Sequence, residues 1–157
     1  MLIDYRYITN KYGNPRGIIH LGAHLAEELD VYLQNGQNKV VWVEANPNLF
    51  EDLKDVLKNT SHLVFNQLLS DKDGERMKFN IAKNYYNENY QSSSVLDFGT
   101  HETDHPHIKM ESSIILESKT ISTLFSENNL NFEDSFKFWF ALMWQNKYIQ
   151  LATLGLV

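Results

Sequence analysis

The 157-residue chain has no cysteine, which removes disulfides, thiolate metal sites and a cysteine nucleophile together. Cationic side chains are scarce: 14 Lys and Arg stand against 20 Asp and Glu, a formal net charge of -6. That balance repels phosphate backbones and anionic membrane surfaces, so neither nucleic acid nor membrane is an expected partner. Long apolar runs are missing as well. The most apolar stretch, FKFWFALMW at 136–144, has roughly half the 20 or so residues that span a bilayer. The opening MLIDYRYITNKYG carries Asp4 where a secretion signal needs an unbroken apolar run, so a cytoplasmic location is expected. With 43% hydrophobic and 13% aromatic residues, the chain has enough apolar material for one packed domain over residues 1–157.

Three prolines and seven glycines punctuate that material. NPRG at 14–17 is turn chemistry, and the IIHLG that follows is a short apolar run stopping at Gly22, the pattern of a buried strand feeding a tight turn. Leu25, Leu29, Tyr32 and Leu33 fall at helical spacing up to Asn35-Gly36. Lys39 leads the strand run Val40–Val43, which stops at Glu44. Pro47 is placed to open a helix with Leu49, Leu53, Val56 and Leu57 facing inward. SHLVFNQLLSDKDG holds a third strand centred on Leu63–Phe65 and closes in a DKDG turn. A β-α-β-α-β order predicts a parallel sheet with right-handed crossovers.

After Gly74 the period changes. RMKFNIA alternates like an exposed or antiparallel strand, and YYNENYQSSS and TDHPH read as loops. SSIILESKT reads as a strand, and ISTLFSENN as a short helix that Thr120 or Ser122 caps. SFKFWFALMWQNKYIQLATLGLV is expected to begin as a strand and continue as an amphipathic helix.

The turn after the first strand carries the chemistry. Backbone N–H groups and a helix N-terminus meet there, and a ligand can approach only past small side chains, a need that Gly22, Ala23 and Ala26 satisfy. One glycine by itself fits a purely structural turn equally well. Glu44 ends the next strand 22 positions after Gly22, close to the roughly 20-residue separation at which an acid reaches ribose hydroxyls. Its other reading is a solvated acid beside the N-terminus of the next helix.

GIIHLGAHLAEELDVYL followed by VVWVEANPNLFEDL resembles the FkbM-type methyltransferases, a branch of the S-adenosylmethionine-dependent enzymes with a Rossmann-like sheet. The similarity is most specific in HLGAH, EE and VEANP, and continues through LLSDKDGE, SSS, HPHI and SKTISTLF, covering roughly residues 14–130. It implies an α/β fold, a three-layer α/β/α arrangement with a mostly parallel sheet whose C-terminal strands are incomplete or atypical. It further implies that Gly22, Ala23 and His24, with His20 before them, hold the methionine part of S-adenosylmethionine. Glu44 and the adjoining Ala45 would take the ribose, and Ser70 and Asp71 would lie near the adenine. Ala26 stands where the family usually has a second glycine, and alanine is tolerable there if its φ is negative. His20 stands where many methyltransferases have an acid.

From about Ser135 the similarity stops, and the family's Ile-Asp-x-Gln-Gly-x-Glu segment has no counterpart. A shortened reading of a longer parent would account for this. The implied activity is methyl transfer to a hydroxyl oxygen of a small molecule or carbohydrate. Its alternatives are a non-catalytic cofactor-binding remnant, a partner-dependent binding module, or an NAD-linked oxidoreductase, for which a one-glycine turn suits the pyrophosphate poorly. The sequence fixes no catalytic base, although His101, His105 and His107 qualify by type.

HETDHPH at 101–107 has donor atoms enough for a metal ion, but Pro106 and its polar setting favour a solvated loop, so no metal site is expected. SSSV at 92–95 lacks a spaced His-Asp pair and reads as a turn, not as a nucleophile. NTS at 59–61 matches a glycosylation acceptor only by coincidence in a chain without a secretion signal. Phe136, Phe138, Trp139, Phe140 and Trp144 read as core.

Overall fold

The computed structural model describes residues 5–86, 92–97, 99, 101–130 and 138–142. In chain order the elements are α1 (Tyr5–Tyr12), β1 (Gly17–Leu21), α2 (Leu29–Gln34), β2 (Val40–Glu44), α3 (Pro47–Leu57), β3 (Leu63–Asn66), β4 (Leu68–Leu69), β5 (Arg76–Asn84), α4 (His101–Asp104), β6 (Ile108–Lys119), α5 (Ile121–Glu127) and β7 (Phe138–Leu142). They form two compact units, one from Met1–Gln67 and Ser122–Trp144, the other from Leu68–Ile121. The α/β class and the mostly parallel sheet agree with the sequence pattern. Among the described residues no helix is long and apolar enough to cross a membrane.

The first unit holds a sheet in the order β3-β2-β1-β7, with every neighbouring pair parallel. Register sets Ile18 beside Val40, His20 beside Trp42 and Trp42 beside Val64. Because side chains alternate along a strand, these residues share one face. On that face Ile18, Val40 and Trp42 form a cluster with Ala23, Ala26, Tyr32, Leu53 and Leu57, with Tyr5, Leu29 and Val64 against it. Each large side chain buried there contributes about 1.5–3 kcal/mol. Ile19, Val41 and Val43, which point to the opposite face, are buried too, as strands of a parallel sheet normally are.

Pro47 opens α3 in its first turn as the sequence predicts, and the structure adds an Asn46 cap whose side chain accepts from the Asn48 N–H at 3.1 Å. Leu49, Leu53 and Leu57 are buried, but Val56 is 44% exposed. The inward stripe is the single i, i+4 row, and Val56 sits on its rim. A second correction concerns α2, expected from Leu25 but beginning at Leu29. Leu25 and Leu33 are exposed, and Tyr32 is the residue of this helix that is buried. The cause lies in the turn before it, described below. β7 realises the expected strand start of the C-terminal segment, pairing Gly17–Leu21 with Phe138–Leu142. Its expected helical continuation, and Phe136 and Trp144, lie outside the described residues.

In the second unit β5 and β6 form a long antiparallel pair with a register shift between Ile81 and Ala82, and β4 joins β6 in parallel. The alternating RMKFNIA thus becomes the antiparallel strand its pattern predicts. The TDHPH segment is less simple than a loop, because its first residues close the short helix α4. Thr120 directly precedes α5, and its N–H donates to Asp73 Oδ1 at 2.6 Å.

Candidate functional site

The turn that joins β1 to α2 is fastened to β2. The N–H groups of Gly22 and Ala23 both donate to the Val43 carbonyl, at 2.9 and 3.1 Å. Gly22 has φ +71°, a value that glycine adopts without cost. His24 and Ala26 also have positive φ, +47° and +56°. The negative φ that would have suited Ala26 is therefore not found, and its left-handed backbone costs about 1–2 kcal/mol relative to glycine. Two such residues prevent a helix from running through 24–28, which explains the late start of α2.

The force that shapes this turn comes from Glu44, at the carboxyl end of β2. Its Oε2 accepts the His24 N–H at 2.9 Å, and its Oε1 accepts the Asn46 N–H at 2.8 Å. One carboxylate thus ties the turn after β1 to the turn after β2. Glu44 is only 6% exposed, so the reading of a solvated surface acid is corrected. Burial pushes its pKa up, while the N–H groups of Asn46 and His24 pull the other way. A carboxylate offers about four acceptor positions, and the two backbone bonds leave room for further donors. Asn66, ending β3, donates its Nδ2 to the carbonyls of Glu44 at 2.8 Å and Ala45 at 3.2 Å, and the Gln67 N–H also reaches Glu44 O, at 3.1 Å. The carboxyl ends of β1, β2 and β3 are joined by hydrogen bonds centred on one residue.

No family model, curated protein or solved structure gives a significant match to this chain. What the site can do therefore rests on its own geometry.

Beneath the turn lies a polar core. His20 is 1% exposed, stacks on Trp42 with ring centroids 4.7 Å apart, and places Nδ1 3.1 Å from the Tyr32 hydroxyl. Burial drives its pKa down to about 4, against the pull of the Glu27 carboxylate. Trp42 Nε1–H donates to His62 Nδ1 at 3.1 Å, leaving His62 Nε2–H to donate to the Gln37 carbonyl at 3.1 Å. His62 is thereby fixed as the neutral Nε2–H tautomer. His24 directs Nδ1 to the Glu27 carboxylate, while its buried Nε2 has no hydrogen-bond partner.

His20, Gly22, Ala23, His24, Glu44 and Ala45 are thus brought to the carboxyl end of one sheet. Ser70 and Asp71 follow β4 in the second unit, where Ser70 Oγ donates to Asp71 Oδ1 at 3.1 Å. The second unit also holds the loop histidines. His105 and His107 have ring centroids 5.8 Å apart, and Tyr86 stacks on His107 at 4.5 Å. Among the described residues no group of three or more His, Asp or Glu is placed to hold a metal ion. In the serine segment, Ser93 Oγ accepts the Ala82 N–H and Ser94 bridges to Asn80, both structural roles. Thr60 of the NTS segment donates its hydroxyl to the Leu57 carbonyl at the end of α3.

Sequence reasoning passed over Asn46, Asn66 and Glu28 as parts of the site. Asn46 follows β2 by two residues and Asn66 is the last residue of β3, each a polar stop after an apolar run at the edge where α/β sheets gather their ligands. That position was the available signal. For Glu28 it was the doubled acid of Glu27-Glu28.

Proposed function

We propose that the chain is an S-adenosylmethionine-dependent methyltransferase with a Rossmann-like three-layer sheet, acting on a hydroxyl oxygen of a small molecule or carbohydrate. The observation that carries this reading is Glu44: buried, at the carboxyl end of β2, holding both adjacent turns and retaining acceptor capacity. Strand order supports it. β2 and β3 lie on one side of β1 and β7 on the other, and open α/β sheets bind ligands at the carboxyl ends of the strands where the order reverses.

The residues present fit the cofactor. The free acceptor positions of Glu44 suit two ribose hydroxyls. Gly22, without a side chain and at positive φ, allows close approach at the turn, and one glycine is adequate where no pyrophosphate must be cradled. Bound there, S-adenosylmethionine supplies a methyl group on a sulfonium that is already a good leaving group. The chain's own contribution is then to position the acceptor hydroxyl and to take its proton. His101, His105 and His107 qualify for that base by residue type alone.

Calorimetric titration with S-adenosylhomocysteine and, separately, NAD tests the reading. Binding of the first and not the second is expected, and the reverse would overturn it. Glu44→Ala should weaken nucleoside binding by about 1–3 kcal/mol, the scale of hydrogen bonds to a charged group. Unchanged affinity in a folded variant would sink the ribose assignment. Methyl transfer to a panel of sugar and small-molecule alcohols separates an enzyme from a chain that only binds.

A further inference from the structure

Asn35-Gly36 is the chain's one Asn-Gly pair, and it is exposed at the end of α2. Such a pair carries its own electrophile and nucleophile, because the backbone nitrogen after an asparagine can attack that residue's Cγ. Glycine has no Cβ to obstruct the approach, and the space where a Gly36 Cβ would stand is open to 4 Å. What restrains the pair is the helix end. Gly36 takes φ +72° and closes a Schellman motif: its N–H donates to Leu33 O at 3.0 Å, and the Gln37 N–H donates to Tyr32 O at 2.9 Å. The Asn35 amide is pinned separately, with Nδ2 donating to the Val31 carbonyl at 2.7 Å. Nucleophile and electrophile are each engaged elsewhere, so attack requires both bonds to open. The same cap holds Gln37, a buried residue whose carbonyl accepts His62 Nε2–H, and His62 in turn accepts the Trp42 indole N–H.

We propose that Asn35 is a site of spontaneous deamidation, gated by local opening of the α2 C-cap and coupled to the polar core through Gln37. In the open state the Gly36 nitrogen attacks Asn35 Cγ. The N–Cγ bond forms, the Cγ–Nδ2 bond breaks, and ammonia leaves with the Gly36 proton. Water then opens the resulting succinimide: addition at Cγ gives aspartate, and addition at the α-carbonyl gives isoaspartate. Both products undo the cap. Aspartate loses the Nδ2 donor to Val31 O and puts a negative charge at the helix C-terminus, where the dipole disfavours it. Isoaspartate inserts a methylene into the main chain, so the Gly36 and Gln37 N–H groups no longer reach Leu33 and Tyr32 together, and Gln37 is drawn away from His62. This inference goes beyond the methyltransferase reading and does not depend on it.

Folded protein and protein in concentrated urea are incubated side by side in mildly alkaline buffer. Peptide mapping by mass spectrometry follows amide-to-acid conversion at every asparagine, and hydrogen exchange follows the backbone amides of the folded chain. Asn35 should convert first in both states, and about tenfold or more slowly when folded. That slowing should match the exchange protection of the Gly36 N–H and fall short of the protection of the β1 and β2 amides, because the same local opening frees the nitrogen for both reactions. The deamidated chain and Asn35→Asp should each have a lower Tm than wild type. Asn35→Gln, whose longer side chain cyclises far less readily, should abolish conversion in this peptide. Equal rates in the two states, a slowing that equals or exceeds the protection of the core strands, or earlier conversion of another asparagine would each overturn the gated site. An unchanged Tm after deamidation would overturn its coupling to the core.

Discussion

Acidification should destabilise this protein through His20 as pH falls below the unperturbed histidine value. In the folded chain burial holds the imidazole pKa at about 4, against 6.5 for an unperturbed histidine. Between those values the unfolded chain binds the proton and the folded chain does not, so stability rises with pH across that window and is lost as pH falls through it. A drop of this size corresponds to about 3 kcal/mol at about 1.36 kcal/mol per unit. Integrated from pH 7.5 to pH 5, the loss is about 2 kcal/mol. Glu28 and Glu44 act in the opposite sense. Their pKa values are raised by burial, so their contribution is complete below the usual carboxylate value and is lost as pH rises. His62, also lowered by burial, acts with His20. The assay must therefore isolate one residue. Urea unfolding of wild type and His20→Asn, each at pH 7.5, 6.5, 5.8 and 5, does so, because the amide does not titrate. The variant is expected to be less stable at neutral pH, having lost the Trp42 stack, and to converge on the wild type by about 2 kcal/mol at pH 5. Parallel curves, with a constant difference at every pH, would refute the burial of a neutral imidazole at this position.

Two further expectations concern the turns. Ala26→Gly relieves a left-handed alanine, a gain of about 1–2 kcal/mol, against about 1 kcal/mol lost in chain entropy and the buried methyl. It should be neutral or mildly stabilising, whereas Ala23→Gly, equally buried and without positive φ, should destabilise by about 1 kcal/mol. Thermal unfolding of the pair, with Ala23→Gly the more stable, would contradict the strain argument. Asn46→Ala removes the cap of α3 and should cost about 1 kcal/mol in denaturant unfolding; a change too small to measure would mean that the Asn48 N–H finds water at no loss.

Much of the first unit is legible in the sequence because its signals are local. The Ile18-Ile19 and Val40–Val43 runs, the Pro47 start of α3 and the Asn35-Gly36 stop of α2 each act within a few residues. The turn at 22–28 is not legible in that way. Its shape is imposed by a carboxylate 20 positions away that claims the His24 N–H, and helical spacing from Leu25 says nothing about such a bond. For the same reason Glu44 could be found as an acid at the end of a strand, while its burial could not. The pairing of His20 with Glu28 depends on a gap of 3.8 Å between two elements, a distance that no residue pattern encodes. Val56 illustrates a smaller limit: periodicity locates the apolar stripe of α3, and only packing decides how wide it is.

The grip of two backbone N–H groups on Glu44 has a consequence for affinity. A surface glutamate that captured a ligand would surrender its rotational freedom at that moment, an ordering cost of about 0.5–1.5 kcal/mol for a flexible side chain. Here the carboxylate is already immobilised by His24 and Asn46, and that entropy was given up when the chain folded. Any donor arriving at the carboxyl end of β2 meets an acceptor set in advance, so the association draws its selectivity from rigidity and not from adjustment.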